Sequence, residues 1–153
     1  INAAKFIIEK LFKDSEIPLK IAGLNPTKEL INLIESFDNI ELIKNPNDKE
    51  MKELISNAQI NLLYTEQATG LKMKLLNVLY NGRYCIVNPK MVAGTALGKL
   101  CLIDQSITDL KKLIKDTFRL DFSEEEIEIR KILLEREFAN ETSFHKIIQA
   151  INL

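Results

Sequence analysis

Residues 60–88 read INLLYTEQATGLKMKLLNVLYNGRYCIVN, and this one stretch holds a strand, a loop, a helix and a second strand in order. Residues 60–64 are a continuous apolar run, as a strand covered on both faces of a sheet requires. The helix over residues 71–81 places Leu71, Leu75, Val78 and Leu79 on one buried face. Gly82 is a natural stop for that helix, and residues 84–87 (YCIV) make the next strand. A strand that follows its predecessor through a helix is the parallel βα unit.

The same alternation continues outward in both directions. Upstream, a helix over residues 2–12 sets Ala4, Ile7, Ile8, Leu11 and Phe12 on one stripe, and residues 19–24 (LKIAGL) form a strand. Asn25-Pro26 predicts a helix start, with Leu30, Leu33, Ile34 and Phe37 inward. A strand over residues 40–44 (IELIK) leads to Asn47 and Glu50, a capping box that opens a helix burying Met51, Leu54, Ile55 and Ala58. Downstream, a looser stretch with Gly94 and Gly98 reaches a strand over residues 100–103 (LCLI) and a helix over residues 106–118. Ser123 and Glu126 form a second capping box, with Phe122 and Ile127 as its hydrophobic staple. A last helix, from about Thr142, buries Phe144, Ile147, Ile148 and Ile151.

Five short parallel strands wrapped by helices give the fold class: α/β, a Rossmann-like doubly wound parallel sheet in one domain spanning residues 1–153. A sheet of this kind opens with a strand that lies near its middle. Here the chain starts at Ile1, without a methionine, and runs straight into a helix. The expectation is a fragment of a longer two-domain protein, with the first strand upstream of Ile1.

Composition narrows the function. The 153 residues suit a single core, and 46% hydrophobic with 28% charged residues is ordinary for a globular chain. A net charge of -1, from 21 basic and 22 acidic residues, argues against a nucleic-acid footprint. No apolar run is long enough to span a bilayer and no signal peptide is visible, so the expected location is cytoplasmic. Cys85 and Cys101 sit in apolar stretches and read as reduced core thiols. With one histidine and no CxxC, there is almost nothing from which to build a Cys/His metal site. His145 reads as a helix-surface residue, and the acid-rich run from Asp121 to Glu128 as a solvated helix start. Asn45-Pro46 either lines a nucleobase or simply punctuates a loop.

Open α/β sheets bind ligands at the carboxyl ends of their strands, so the loop Thr65-Glu66-Gln67-Ala68-Thr69-Gly70 carries the candidate site. Gly70 lets backbone approach a ligand, and the free N–H groups of residues 71–73 suit a phosphate. Positions 70, 74, 77 and 81 share one helix line, which puts Lys74 and Asn77 near that terminus. A cation for a phosphate beside an amide for a hydroxyl pair is the chemistry of a nucleotide-sugar site. The same stripe also reads as a plain solvated helix face.

The run GLKMKLLNVLYNGRYCIVN resembles the segment of retaining GT-B glycosyltransferases in which Gly-Leu opens a helix that ends in glycine before the next strand. LKIAGLNP is similar to that family's strand ending in glycine, and INLLY to the strand before its donor loop. The resemblance covers the chain as the C-terminal, donor-binding half of a GT-B fold. It implies a domain that binds the nucleoside diphosphate of an activated sugar through Glu66, Thr69, Gly70, Leu71, Lys74 and Asn77. The helix N-terminus would take the distal phosphate, and Asn77 the ribose. The family often carries two glutamates eight positions apart; here those positions are Thr69 and Asn77, and Glu66 lies eleven positions before Asn77.

The implied protein is a hexosyltransferase-type enzyme whose partners are the nucleotide-sugar donor and an N-terminal acceptor-binding domain of the same polypeptide. It needs no cofactor or metal, and any peripheral membrane association falls to the missing half. The residues given would not turn over alone, and their sequence names no catalytic group. The alternatives are a non-catalytic Rossmann-like interaction domain and one half of a GT-B nucleotide-sugar epimerase.

Overall fold

The computed structural model describes residues 3–68 and 73–138. Two parallel sheets organise them. The strands β1 (Leu19–Gly23) and β2 (Ile40–Lys44) pair in register from Leu19↔Ile40 to Gly23↔Lys44. The second sheet orders β3 (Ile60–Leu63), β4 (Tyr84–Val87) and β5 (Leu102–Ile103) side by side, with β4 in the centre. The α/β class with parallel strands and flanking helices is therefore as expected. The single continuous sheet is not: β1 is hydrogen-bonded only to β2, and β3 only to β4. No strand among the described residues lies between β1 and β3, so each leaves one ladder edge unpaired.

Helices cover the sheets. The first, α1 (Ala3–Phe6), runs on as a π-helical turn over Ile7–Phe12. It lies across both sheets, because Ile8, Leu11 and Phe12 share one core with Ile34, Ile40, Ile86, Leu110 and Ile114. One end reaches the carboxyl end of β3, where the Phe6 ring stacks on Tyr64 at 4.3 Å. At the other end, Asn39 Nδ2 donates to the Ser15 carbonyl at 2.7 Å, just ahead of β2. The helix thus runs antiparallel to the strands, as a crossover helix must.

The remaining helices are α2 (Lys28–Ile34), α3 (Asp48–Asn57), α4 (Met73–Asn81), α5 (Pro89–Val92), α6 (Ile107–Phe118) and α7 (Glu124–Phe138). On the second sheet, Ile86 faces the core under the N-terminal helix, while Cys85 and Val87 face a second core. That second core holds Leu75, Leu76, Val78 and Leu79 of α4 and Leu134 of α7. The alternation along β4 covers it on both faces, which explains its unbroken apolar sequence.

Several local expectations need correction. Thr27, not Asn25, caps α2: its side chain accepts from Leu30 N–H at 3.2 Å. Asn25 takes a left-handed φ of 46°, which an N-cap does not use. The fifth strand is only Leu102–Ile103, because residues before it close a 3-10 turn over Ala96–Leu100. The Ser123 hydroxyl accepts from Glu125 N–H at 3.2 Å, in place of the expected reciprocal box with Glu126. The Asn47–Glu50 box is present with both bonds, at 2.8 Å and 2.9 Å. The expected last helix and His145 lie outside the described residues.

Candidate functional site

The carboxyl ends of β1, β2, β3 and β4 bear short loops that are tied to one another by asparagines. At the first sheet, Asn45 Oδ1 accepts from Asn25 N–H at 2.7 Å, joining the tips of β1 and β2. Both asparagines are left-handed, with φ 46° and 51°, a conformation that suits asparagine better than most residues. Asn45 is spent on this tie and Pro46 is buried, which favours loop punctuation over nucleobase contact.

At the second sheet the organising residue is Asn88, directly after β4 and only 6% exposed. Its Oδ1 accepts from Thr65 N–H at 3.1 Å and its Nδ2 donates to the Thr65 carbonyl at 2.8 Å. The side-chain amide thereby continues the ladder past the last β3–β4 backbone pair. Thr65 then turns the loop, with its hydroxyl accepting from Gln67 N–H and donating to the Gln67 carbonyl, both at 3.2 Å.

This turn presents Glu66, whose carboxylate meets Lys90 of α5 at 3.4 Å. A hydrogen bond from the Tyr64 hydroxyl, and then Lys90, hold the Glu66 carboxyl below its ordinary value. Burial, and then the Glu66 partner, push the Tyr64 phenol up. The cluster Tyr64, Glu66 and Lys90 is a charge-balanced group on an open surface, with the face of the Tyr64 ring stacked on Phe6.

Of the residues expected at the site, Thr69, Gly70 and Leu71 lie outside the described residues. Lys74 is exposed in the first turn of α4, with no ion pair among the described residues. Asn77 is half-buried one turn further on. Its Oδ1 accepts from Asn81 Nδ2 at 2.9 Å, which leaves the Asn77 amide nitrogen as the group open to a ligand. The structure thus places Glu66 at the end of β3 and Lys74 with Asn77 on the helix that follows. It adds Tyr64, Asn88 and Lys90, which the sequence reading did not single out. The signal for two of them was the Asn88-Pro89 pair at a strand end, the mark of a loop and helix start at the same sheet edge.

Among the described residues, no group of three or more His, Cys, Asp or Glu side chains could hold a metal ion. A shallow hollow between α4 and α7, lined by Tyr80, Asn81, Glu124, Glu128, Lys131 and Ile132 among others, sits at the other end of the strands. No helix among the described residues is long and apolar enough to cross a membrane. No family model, no curated protein and no solved structure matches this chain.

Proposed function

We propose that this domain binds the nucleoside-diphosphate part of an activated sugar and serves as the donor half of a glycosyltransferase. What supports the reading is that Glu66 follows the carboxyl end of β3, while Lys74 and Asn77 lie on α4, the next helix along the chain. A phosphate meets the start of α4, where free N–H groups and Lys74 offset its charge. The amide of Asn77 donates to a ribose hydroxyl, and Glu66 accepts from a hydroxyl of the sugar. Lys90 supplies a second cation beside Glu66 for the diphosphate. The enzyme would be a hexosyltransferase that needs no metal, with acceptor and catalytic groups supplied by an N-terminal domain of the same polypeptide.

Titration with UDP and GDP, followed by amide NMR shifts, tests the assignment. Shifts should concentrate on residues 65–77 and on Lys90; shifts confined to the α4–α7 hollow would overturn it. In the full-length enzyme, Lys74→Ala should raise the donor KM by roughly tenfold, since a charge-assisted contact is worth on the order of 1.5–3 kcal/mol. Unchanged donor kinetics would return Lys74 to a solvated helix face.

A further inference from the structure

Cys85 lies in β4, and Cys101 comes one residue before β5. The register Ile86↔Leu102 and Val87↔Ile103, continued one step back, sets these two cysteines opposite each other. The continuation is sound because Cys101 is itself extended, with φ -123° and ψ 153°. Their side chains also share a face. Cys85 belongs to the core of Leu75 and Leu134, and Cys101 packs against that same core. Neighbouring strands lie about 4.8 Å apart, within the roughly 4.4–6.8 Å between Cα atoms that a disulfide spans.

A third group acts on the pair through its charge. Arg130 of α7 is 9% exposed, and its two terminal nitrogens donate to the carbonyls of Gly82 and Arg83, just ahead of β4. Its Nε is buried without any hydrogen-bond partner. An arginine buried with an idle donor needs an account. The guanidinium charge also acts on both cysteines, favouring their thiolate forms.

We propose that Cys85 and Cys101 are an oxidisable dithiol, in which Cys101 attacks a peroxide, Cys85 resolves the product, and Arg130 steadies the thiolate. The two sulfurs are differentiated for these roles. Cys101 is half-buried; a hydrogen bond from Cys85, and then Arg130, hold its thiol below the ordinary value. Cys85 is buried, and its bond to Cys101 together with burial push it well above that value. While protonated, Cys101 gives its S–H to the Leu97 carbonyl at 3.5 Å.

The chemistry closes in two steps. The Cys101 thiolate attacks one oxygen of hydrogen peroxide, the O–O bond breaks, and Cys101 sulfenic acid and hydroxide form. Cys85 then loses its proton as its sulfur attacks the Cys101 sulfur. The S–O bond breaks, and the departing hydroxide takes a proton to leave as water. Two thiols lose two electrons in total, and one peroxide becomes two waters.

Peroxide treatment of the full chain, followed by alkylation and peptide mapping, tests this. The peptide with Cys85 should be joined to the peptide with Cys101, and dithiothreitol should part them. In Cys85→Ser, dimedone should trap a sulfenic acid on Cys101. Adding Arg130→Gln should slow that trapping severalfold, because less of Cys101 is then thiolate. If Arg130→Gln does not fold, the map of the unaltered chain decides alone. Two alkylatable thiols surviving peroxide, sulfinic or sulfonic acid without a link, or a link only between chains would each overturn the proposal.

Discussion

Asn88 makes two backbone hydrogen bonds to Thr65 with a single side chain, and the loop bearing Glu66 rests on them. Asn88→Leu keeps the branched shape of the side chain and leaves both half-buried Thr65 groups without partners. It should cost about 1–3 kcal/mol per unsatisfied group by urea denaturation. Tyr64→Phe tests the electrostatics of the same loop. Without the phenol hydrogen bond, the largest cause of its lowered value, the Glu66 carboxyl should titrate nearer its ordinary value, as read by NMR of its side-chain carboxyl carbon. The sign follows from the lowered folded-state value: any stability from Glu66 is present above about pH 4.3, and is lost as pH falls through the lowered value. How far single residues were legible depended on who their partners are. The helix line through positions 74, 77 and 81 was visible in the spacing, and it does bring Asn77 and Asn81 together. That they bond each other, and so engage the Asn77 oxygen, was not, because spacing gives neighbours and not rotamers. Asn88 was missed because its partner, Thr65, lies 23 positions away.

Among the elements, α4 shows how a glycine can be required by packing and not by backbone freedom. A Cβ on Gly82 would lie 2.6 Å from Asn61 Nδ2 and 2.9 Å from the Val78 carbonyl. Asn61 cannot swing away freely, because its Nδ2 donates to the Ile55 carbonyl at 3.0 Å in a buried position. Gly82→Ala should therefore destabilise the fold by about 1–3 kcal/mol, the usual cost of overpacking, with thermal unfolding as the readout. The sequence did mark Gly82 as a helix end, for a reason that is only half of the account. Elements whose start signal is local were read well, as with the Asn47 capping box of α3 and Ser106 at α6. Elements set by competition between signals were read less well. Asn25-Pro26 and Thr27 both offer a cap, and the tie to Asn45 decides for Thr27 by turning Asn25 left-handed. The fifth strand shortened for a similar reason, since the 3-10 turn ending at Leu100 uses the residues before it.

Across the whole molecule, the fold class was legible because βα alternation is written in periodicity, while sheet continuity depends on what stands between β1 and β3. In a parallel ladder successive amides point to opposite edges. Leu19 N–H donates to the Asn39 carbonyl, so the amides of Lys20 and Ala22 face the edge away from β2. In hydrogen exchange on this chain, Lys20 and Ala22 should exchange faster than Leu19 and Ile21. Equal protection in all four would mean that another strand covers this edge. The first sheet also has thinner support. It packs only on the core it shares with the N-terminal helix, whereas β4 is covered on both faces. The two sheets are joined by side chains without a common hydrogen-bond ladder, so the boundary between them is a plane of low shear resistance. Opening along that plane exposes apolar surface and breaks no strand pair. The chain should therefore come apart in two stages under denaturant, with β1, β2 and α2 released as a first cooperative unit ahead of β3, β4 and α4.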